Sequence, residues 1–319
     1  MTLIEQLDAA QALAPEDRRG RPNELTMALS ALHRLGADDA TLAAFAARHP
    51  GRQLPGDTPQ AWPAGDAWPE RRGERRAFMA YRDLFLAWRG EEGAGPLLEQ
   101  VLPQLMPGCA GSGFAGLIRT AAAVQSRHAG ELASGLAYWA CRWLPLAPPR
   151  PVAASAQESD PEVLLRRLRV HRSAAKQPAQ RLREAAAQDP ALQRAVEALA
   201  IEGGTLERLS RLAARAFAYS GDPAAMRLVV SAQAMRVLNP FFDEKPLAWR
   251  AYWQAFATAV VAAGMRARPA PALQPWDALI DAARASTDGW TVMLVDACRQ
   301  EEQAWGGDDW RLAASRVMA

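Results

Sequence analysis

Apolar residues recur every three or four positions along most of the chain, which is the spacing of one buried helix face. Prolines, glycines and short polar runs separate these segments, and strand-like alternation never extends beyond a few residues. No repeat of fixed period is present. The spacing predicts helices over residues 2–14, 21–36, 78–88, 97–105, 114–124, 131–143, 163–169, 178–187, 190–201, 206–219, 224–238, 247–263 and 276–303. We therefore predict an all-α protein.

The most distinctive stretch is residues 105–146, where a loop rich in proline and glycine precedes two of these helices. Ser112 is the candidate N-cap of the first helix. The second helix begins near Glu131 and has a tryptophan- and leucine-rich stripe until Pro145 stops it. The pattern predicts a helical hairpin with a wide apolar seam.

Two segments have the composition of loops. Residues 50–72 contain five prolines, and Trp62 and Trp68 within them could either cover a pocket or pack onto the helices. Residues 147–161 are rich in proline, alanine and serine, so we predict a linker between helical halves at 1–146 and 162–319. The pattern leaves open whether these halves are separate domains.

Composition is typical of a soluble globular protein, with 50% hydrophobic and 23% charged residues in a chain of 319. The net charge of +2 creates no long-range field, and the basic stretch at 166–183 adjoins acidic residues, so we expect no nucleic-acid partner. The acidic N-terminal segment and the absence of an apolar run of roughly 18–20 residues predict a cytoplasmic protein without a membrane span. Three scattered cysteines predict reduced thiols.

Motifs for metal or dinucleotide binding are weak. The four histidines lie too far apart in sequence for a helical metal pair, so we expect no metal. Residues 111–116 satisfy the dinucleotide fingerprint GxGxxG, but a helical segment precedes them where the fingerprint requires a strand. We interpret that match as accidental, although a helix N-terminus there could still hold an anionic group.

Three phrases of the sequence carry a family resemblance: LPQLMPG at 102–108, GFAGLIRTAAAV at 113–124 and ELASGLAYWA at 131–140. They resemble the questin oxidase-like family, and weaker matches follow at 23–37, 224–238 and 288–293. Since the resemblance covers both sides of the predicted linker, it implies one multi-helical architecture with a central pocket. The histidines of the family pattern fall on Glu24, Ala115, Arg227, Gln233 and Trp290 in this chain.

The resemblance implies a Baeyer–Villiger-type monooxygenase that inserts oxygen next to a ketone of polyketide type, with NADPH as cofactor and a hydrophobic or aromatic small molecule as partner. Such chemistry needs groups that polarise a carbonyl and transfer protons. The residues that we expect to supply them in place of the histidines are Glu24, Arg119, Tyr138, Gln233 and Asp288.

Two other hypotheses compete with the enzyme. In the first, the protein retains the fold as a non-catalytic binding or interaction protein, and Arg119 is a structural residue paired with Asp288 or Glu24. In the second, it is a helical scaffold for protein partners, which the absence of a repeat disfavours. A convergent polar pocket at Arg119 and Asp288 would favour the enzyme or ligand-binding hypotheses over the scaffold.

Overall fold

The computed structural model of the protein describes residues 1–49, 51, 54, 67–146 and 158–319. These residues form sixteen α-helices and no strand, which confirms the predicted all-α class. None of these helices combines the length and the apolarity that crossing a bilayer would require. The helices are α1 Leu3–Ala10, α2 Leu25–Arg34, α3 Asp39–Arg48, α4 Phe78–Glu92, α5 Ala94–Leu105, α6 Ala115–Ser126, α7 Ala129–Cys141, α8 Pro161–Arg166, α9 Pro178–Gln188, α10 Pro190–Ala198, α11 Thr205–Ala218, α12 Pro223–Leu238, α13 Lys245–Ala263, α14 Trp276–Ala285, α15 Gly289–Trp305 and α16 Asp309–Ser315.

The core is built around α6, α7, α12 and α15. The helices α6 and α7 form the predicted hairpin, α12 packs against α6, and α15 packs against both α2 and α12. Small and branched residues cover α12 on nearly all sides, which is typical of a helix surrounded by others. The buried apolar residues form one continuous cluster, with members from before residue 147 and after residue 157.

The prediction of one helix over 276–303 is wrong. The chain leaves helical geometry at Ser286, and Asp288 begins a new helix by accepting hydrogen bonds from the Thr291 amide at 3.0 Å and the Thr291 hydroxyl at 2.8 Å. A side-chain oxygen that satisfies a free amide at a helix start is a helix N-cap. The pattern also failed to predict α16 and α3, which buries only Leu42 and Phe45.

The two predicted loops lie largely outside the described residues. Trp62 is not described, whereas Trp68 is buried with its ring edge-to-face against Phe85, at 5.3 Å between ring centroids. Trp68 is therefore a packing residue. Residues 147–157 of the predicted linker are not described, and its last residue, Pro161, begins α8, which Asp160 caps.

Candidate active site around Arg227

An unusual loop leads into α6. Ser112, Gly113 and Phe114 adopt left-handed backbone conformations in succession, with φ angles of 50°, 65° and 66°. Such conformations are costly for residues other than glycine and concentrate at functional sites. Ser112 is not the N-cap that we predicted, because α6 begins at Ala115 and Phe114 precedes it. The ring of Phe114 instead packs edge-on against Tyr252 of α13, at 6.0 Å between ring centroids.

Other protein atoms fill the space beside the glycines of this loop. A Cβ atom on Gly116 would lie 2.5 Å from the Cβ of Trp139, and one on Gly113 would lie 2.9 Å from a guanidinium nitrogen of Arg227. A Cβ on Gly111 would collide with the backbone carbonyl of Arg142. In a dinucleotide site the glycines allow the cofactor to approach. Here they admit protein atoms, and a helix rather than a strand precedes them, so the loop does not fit the pyrophosphate of NADPH.

Beside this loop, Arg227 of α12 meets side chains from distant parts of the sequence. Its guanidinium carbon lies 5.0 Å from the ring centroid of Trp290 on α15, within the range of a cation–π contact. Glu24, which immediately precedes α2, and Tyr138 of α7 both lie within electrostatic range of it. We call Glu24, Tyr138, Arg227 and Trp290, together with Gly113, the Arg227 site.

Burial and the charges of neighbouring residues together shift the pKa values of Glu24 and Arg227. Burial raises the pKa of the Glu24 carboxyl, the negative charge of Asp288 raises it further, and His49 and Arg227 counteract this shift. Burial lowers the pKa of the Arg227 guanidinium, which Glu24 and Tyr138 counteract. No hydrogen bond joins the Arg227 side chain to any residue that the structure describes. Its N–H groups are therefore donors without a described acceptor.

The sequence model of the questin oxidase-like family matches residues 22–298, which is most of the chain and includes every member of the Arg227 site. The chain belongs to the questin oxidase-like family. This confirms the resemblance and supports an oxidoreductase-type function. A search of curated proteins finds no match to the chain.

Arg119 of this questin oxidase-like protein forms a buried ion pair, but not with Asp288 or Glu24 as we expected. Its Nε and Nη2 atoms donate to the two carboxylate oxygens of Glu131 at 3.1 and 2.8 Å, and the two residues are only 5% and 3% exposed. Gln11 also donates to Glu131, at 2.5 Å. Burial raises the pKa of Glu131, but Arg119 and these hydrogen bonds outweigh it and lower the pKa overall. The pair of Arg119 on α6 and Glu131 on α7 therefore holds these two helices together.

Tyr138 is the one fully buried member of the Arg227 site. Its hydroxyl donates to Glu16 at 2.8 Å, and Glu16 in turn forms an ion pair with Arg142. Burial raises the pKa of Tyr138, so the phenol is neutral at physiological pH. The sequence does not predict that Glu16 and Arg142 lie beside the site, because nothing in their local sequence distinguishes them from surface charges.

Gln233 and Asp288 have their own partners. Gln233 lies on α12 beyond Arg227, where its amide nitrogen donates to Gln300 at 3.0 Å, and Gln125 donates to the same oxygen at 2.7 Å. Gln300 in turn donates to Asp296 at 2.9 Å. Asp288 is exposed as the cap of α15 and acts on Glu24 only through its charge. Of the five predicted site residues, Glu24 and Tyr138 belong to the Arg227 site.

Of the five positions where the family pattern has a histidine, three lie in the Arg227 site and two lie outside it. Glu24, Arg227 and Trp290 come together, Ala115 is fully buried at the start of α6, and Gln233 lies in the amide network. Among the described residues, no three His, Cys, Asp or Glu side chains are close enough to hold a metal ion. The polar chemistry that the site offers is therefore a guanidinium, a carboxyl group and a phenol.

Proposed function

We propose that this protein is an oxidoreductase that inserts an oxygen atom next to the carbonyl of an aromatic ketone. The observation that supports this most is the Arg227 guanidinium, which is half-buried and has no described hydrogen-bond acceptor. The carbonyl oxygen of a bound ketone would accept hydrogen bonds from this guanidinium. Hydrogen bonds from a cationic donor in a partly water-excluded site stabilise the oxyanion that forms when a nucleophile attacks the carbonyl.

Glu24 is the proton carrier in this proposal. Its raised pKa brings the carboxyl group nearer to neutral pH, where proton donors and acceptors are most effective. The indole of Trp290 and the phenol of Tyr138 lie near Arg227, and in this proposal they pack against a flat aromatic substrate. Arg119, Gln233 and Asp288 position the helices that bear these groups, in place of the direct roles that we first assigned to them.

The reaction needs two electrons, because one atom of O₂ enters the product ester and the other leaves as water. We propose NADPH as the donor, following the family resemblance, with NADP⁺ as the second product. Since the glycine-rich loop does not fit a dinucleotide, we assign no residue of that loop to NADPH.

The alternative is a binding protein without turnover. It follows from the same residues, because neither an arginine nor a tryptophan can shuttle protons as a histidine does. Both proposals place the ketone at Arg227, so binding alone does not separate them. Turnover does.

The test is incubation of the purified protein with a hydroxylated anthraquinone, NADPH and O₂. We expect ketone-dependent NADPH oxidation and a product heavier by one oxygen atom. Replacement Arg227→Gln should reduce kcat/KM by about 10²-fold or more. The matched control Arg167→Gln removes a charge from an exposed position at the end of α8 and should leave the rate unchanged.

Three outcomes are informative. Turnover that depends on Arg227 supports the oxidoreductase. Binding of the ketone that is lost in Arg227→Gln, without turnover in either protein, supports the binding protein. Turnover that Arg227→Gln leaves intact would overturn the assignment of the site.

A further inference from the structure

A cavity of about 530 Å³ lies beside α13 and shares no residue with the Arg227 site. Small-molecule sites in proteins usually enclose about 300–1,000 Å³. The cavity is bounded by the end of α5 with the turn after it, by the end of α9, by α10, and by α13 as far as Thr258 with the turn before it. Its volume is large enough for a molecule of ten to twenty heavy atoms, on the order of a small drug fragment.

The inner wall of the cavity is apolar. Met106, Leu192 and Phe242 are buried there, and Ala248 and Ala251 of α13 leave room between them. The side chain of Leu247 also lines the cavity and is 50% exposed, which marks the opening to solvent. A ligand with an apolar body would therefore gain free energy from burial.

Arg250, the one guanidinium in the lining, is committed to the wall itself. Its terminal nitrogens donate to the backbone carbonyls of Val196 at 2.6 Å and Leu199 at 2.9 Å, and to that of Glu197 at 3.3 Å. These carbonyls belong to the last turn of α10, where helix carbonyls lack partners and a cation is favourable. The terminal nitrogens of Arg250 therefore stabilise the end of α10, whereas its buried Nε has no hydrogen-bond acceptor among the described residues.

The other polar groups of the cavity are mainly acceptors. Gln193 donates to the carbonyl of Ala186 at 3.3 Å, and the Thr258 hydroxyl donates to the carbonyl of Gln254 at 2.7 Å, so both keep side-chain oxygens that can accept. Three carboxylates complete the lining, so acidic side chains outnumber the one guanidinium among the lining residues. They belong to Glu197, Asp243 and Glu244.

We propose that this cavity binds an apolar molecule that carries a protonated amine. The amine donates hydrogen bonds to the acceptors of the lining and lies beside the exposed carboxylates of Asp243 and Glu244, while the apolar body packs against Met106 and Phe242. This site has the opposite complementarity to the Arg227 site, whose guanidinium favours an acceptor. The two proposals are independent, because no residue is shared.

The experiment compares three probes of one shape by calorimetric titration of the intact protein: 4-phenylbutylamine, 4-phenylbutan-1-ol and 4-phenylbutyrate. The amine should bind most tightly and the carboxylate most weakly. Asp243→Asn combined with Glu244→Gln should weaken the amine by about three- to tenfold and leave the alcohol unchanged, since these side chains act through their charge.

Two controls complete the test. Asp277→Asn removes an exposed carboxylate from α14, which packs against α15 and α16, and should not change amine binding. Ala251→Phe fills the cavity and should abolish binding of amine and alcohol, provided that its melting temperature matches the parent. Equal affinity for amine and alcohol, or amine binding that survives Ala251→Phe, would overturn the proposal. Arg227→Gln should leave amine binding unchanged, so failure at one site does not bear on the other.

Discussion

The carboxyl group of Glu24 and the guanidinium of Arg227 favour each other's charged form, although about two hundred residues separate them in sequence. Glu24 lies at the start of α2 and Arg227 in the first half of α12. The attraction only partly compensates the burial of Glu24, whose pKa stays above the ordinary value of 4.5. The site therefore holds a carboxylate that would be more stable in water.

Replacement Glu24→Gln should accordingly stabilise the protein at neutral pH. A carboxyl group whose pKa is raised by folding contributes stability that is complete below the unfolded pKa and is lost as pH rises through the folded pKa. Relative to the parent, the variant should melt roughly 1–3 °C higher at pH 7, with a difference that vanishes below about pH 4.5.

Circular dichroism melts between pH 4 and 8 measure this effect. Glu99→Gln, at an exposed position on α5, is the matched control and should show no pH-dependent difference. A Glu24→Gln variant that melts lower than the parent at pH 7 would mean that the pairing with Arg227 outweighs burial. If the protein is the proposed oxidoreductase, Glu24→Gln should reduce turnover while it raises the melting temperature, so the two measurements should change in opposite directions.

The buried pair Arg119–Glu131 should matter for stability far more than an exposed pair. Glu131→Gln leaves the Arg119 guanidinium buried without a counter-charge, which costs about 3–5 kcal/mol in free energy of unfolding. Arg166→Gln breaks an exposed pair with Glu162 and should cost less than about 1 kcal/mol. Urea denaturation of both variants gives the comparison. Similar losses in the two would contradict the role that we assign to Arg119.

Two glycines should respond to alanine with opposite signs. In Gly116→Ala the new methyl group meets the Cα and Cβ atoms of Trp139 and forces α6 away from α7, at a cost of about 1–3 kcal/mol. Gly90 is in α4 with no atom within 4 Å of the added Cβ, so Gly90→Ala should stabilise by about 0.5–1 kcal/mol. Chemical denaturation reports both changes. A neutral Gly116→Ala would show that the hairpin is loosely packed.

The three cysteines should be inert in the folded protein. Cys109, Cys141 and Cys298 are buried, and burial raises the pKa of Cys109 to about 12 and those of the other two above their usual range. Only the thiolate reacts readily, so a thiol reagent such as Ellman's should modify none of them over minutes at pH 8 and all three after denaturation. Rapid modification of the native protein would indicate local opening at the reactive thiol.

Much of the fold follows from the sequence, because helical spacing of apolar residues reports which face of a segment is buried. The hairpin of α6 and α7 and the helix over 224–238 follow from this spacing. The break at Asp288 was also readable: an aspartate followed by glycine after Ser286 and Thr287 is a helix start signal, and the apolar pattern on both sides concealed it. The apolar spacing did not predict α3, because this helix buries only two large side chains.

The site was less predictable, because its partners are set by tertiary packing. The sequence pattern shows Glu131 only as the beginning of a helix, and the turn between α6 and α7 is what brings its carboxylate to Arg119. The family pattern marks Arg227 as a replaced histidine, but its contact with Trp290 depends on how α12 lies beside α15. The apolar spacing within a segment identifies a helix, but it does not determine how that helix is rotated against its neighbours.

The amides of Gln125, Gln233 and Gln300 bear on that rotation. Alanine-rich helix surfaces can slide past one another with little penalty, but partly buried amides keep their mutual hydrogen bonds in only one axial and angular setting. This lock among α6, α12 and α15 fixes their registration. Because Arg227 and Trp290 are carried by two of the locked helices, the distance between them is dictated remotely, by side chains that need never touch a ligand.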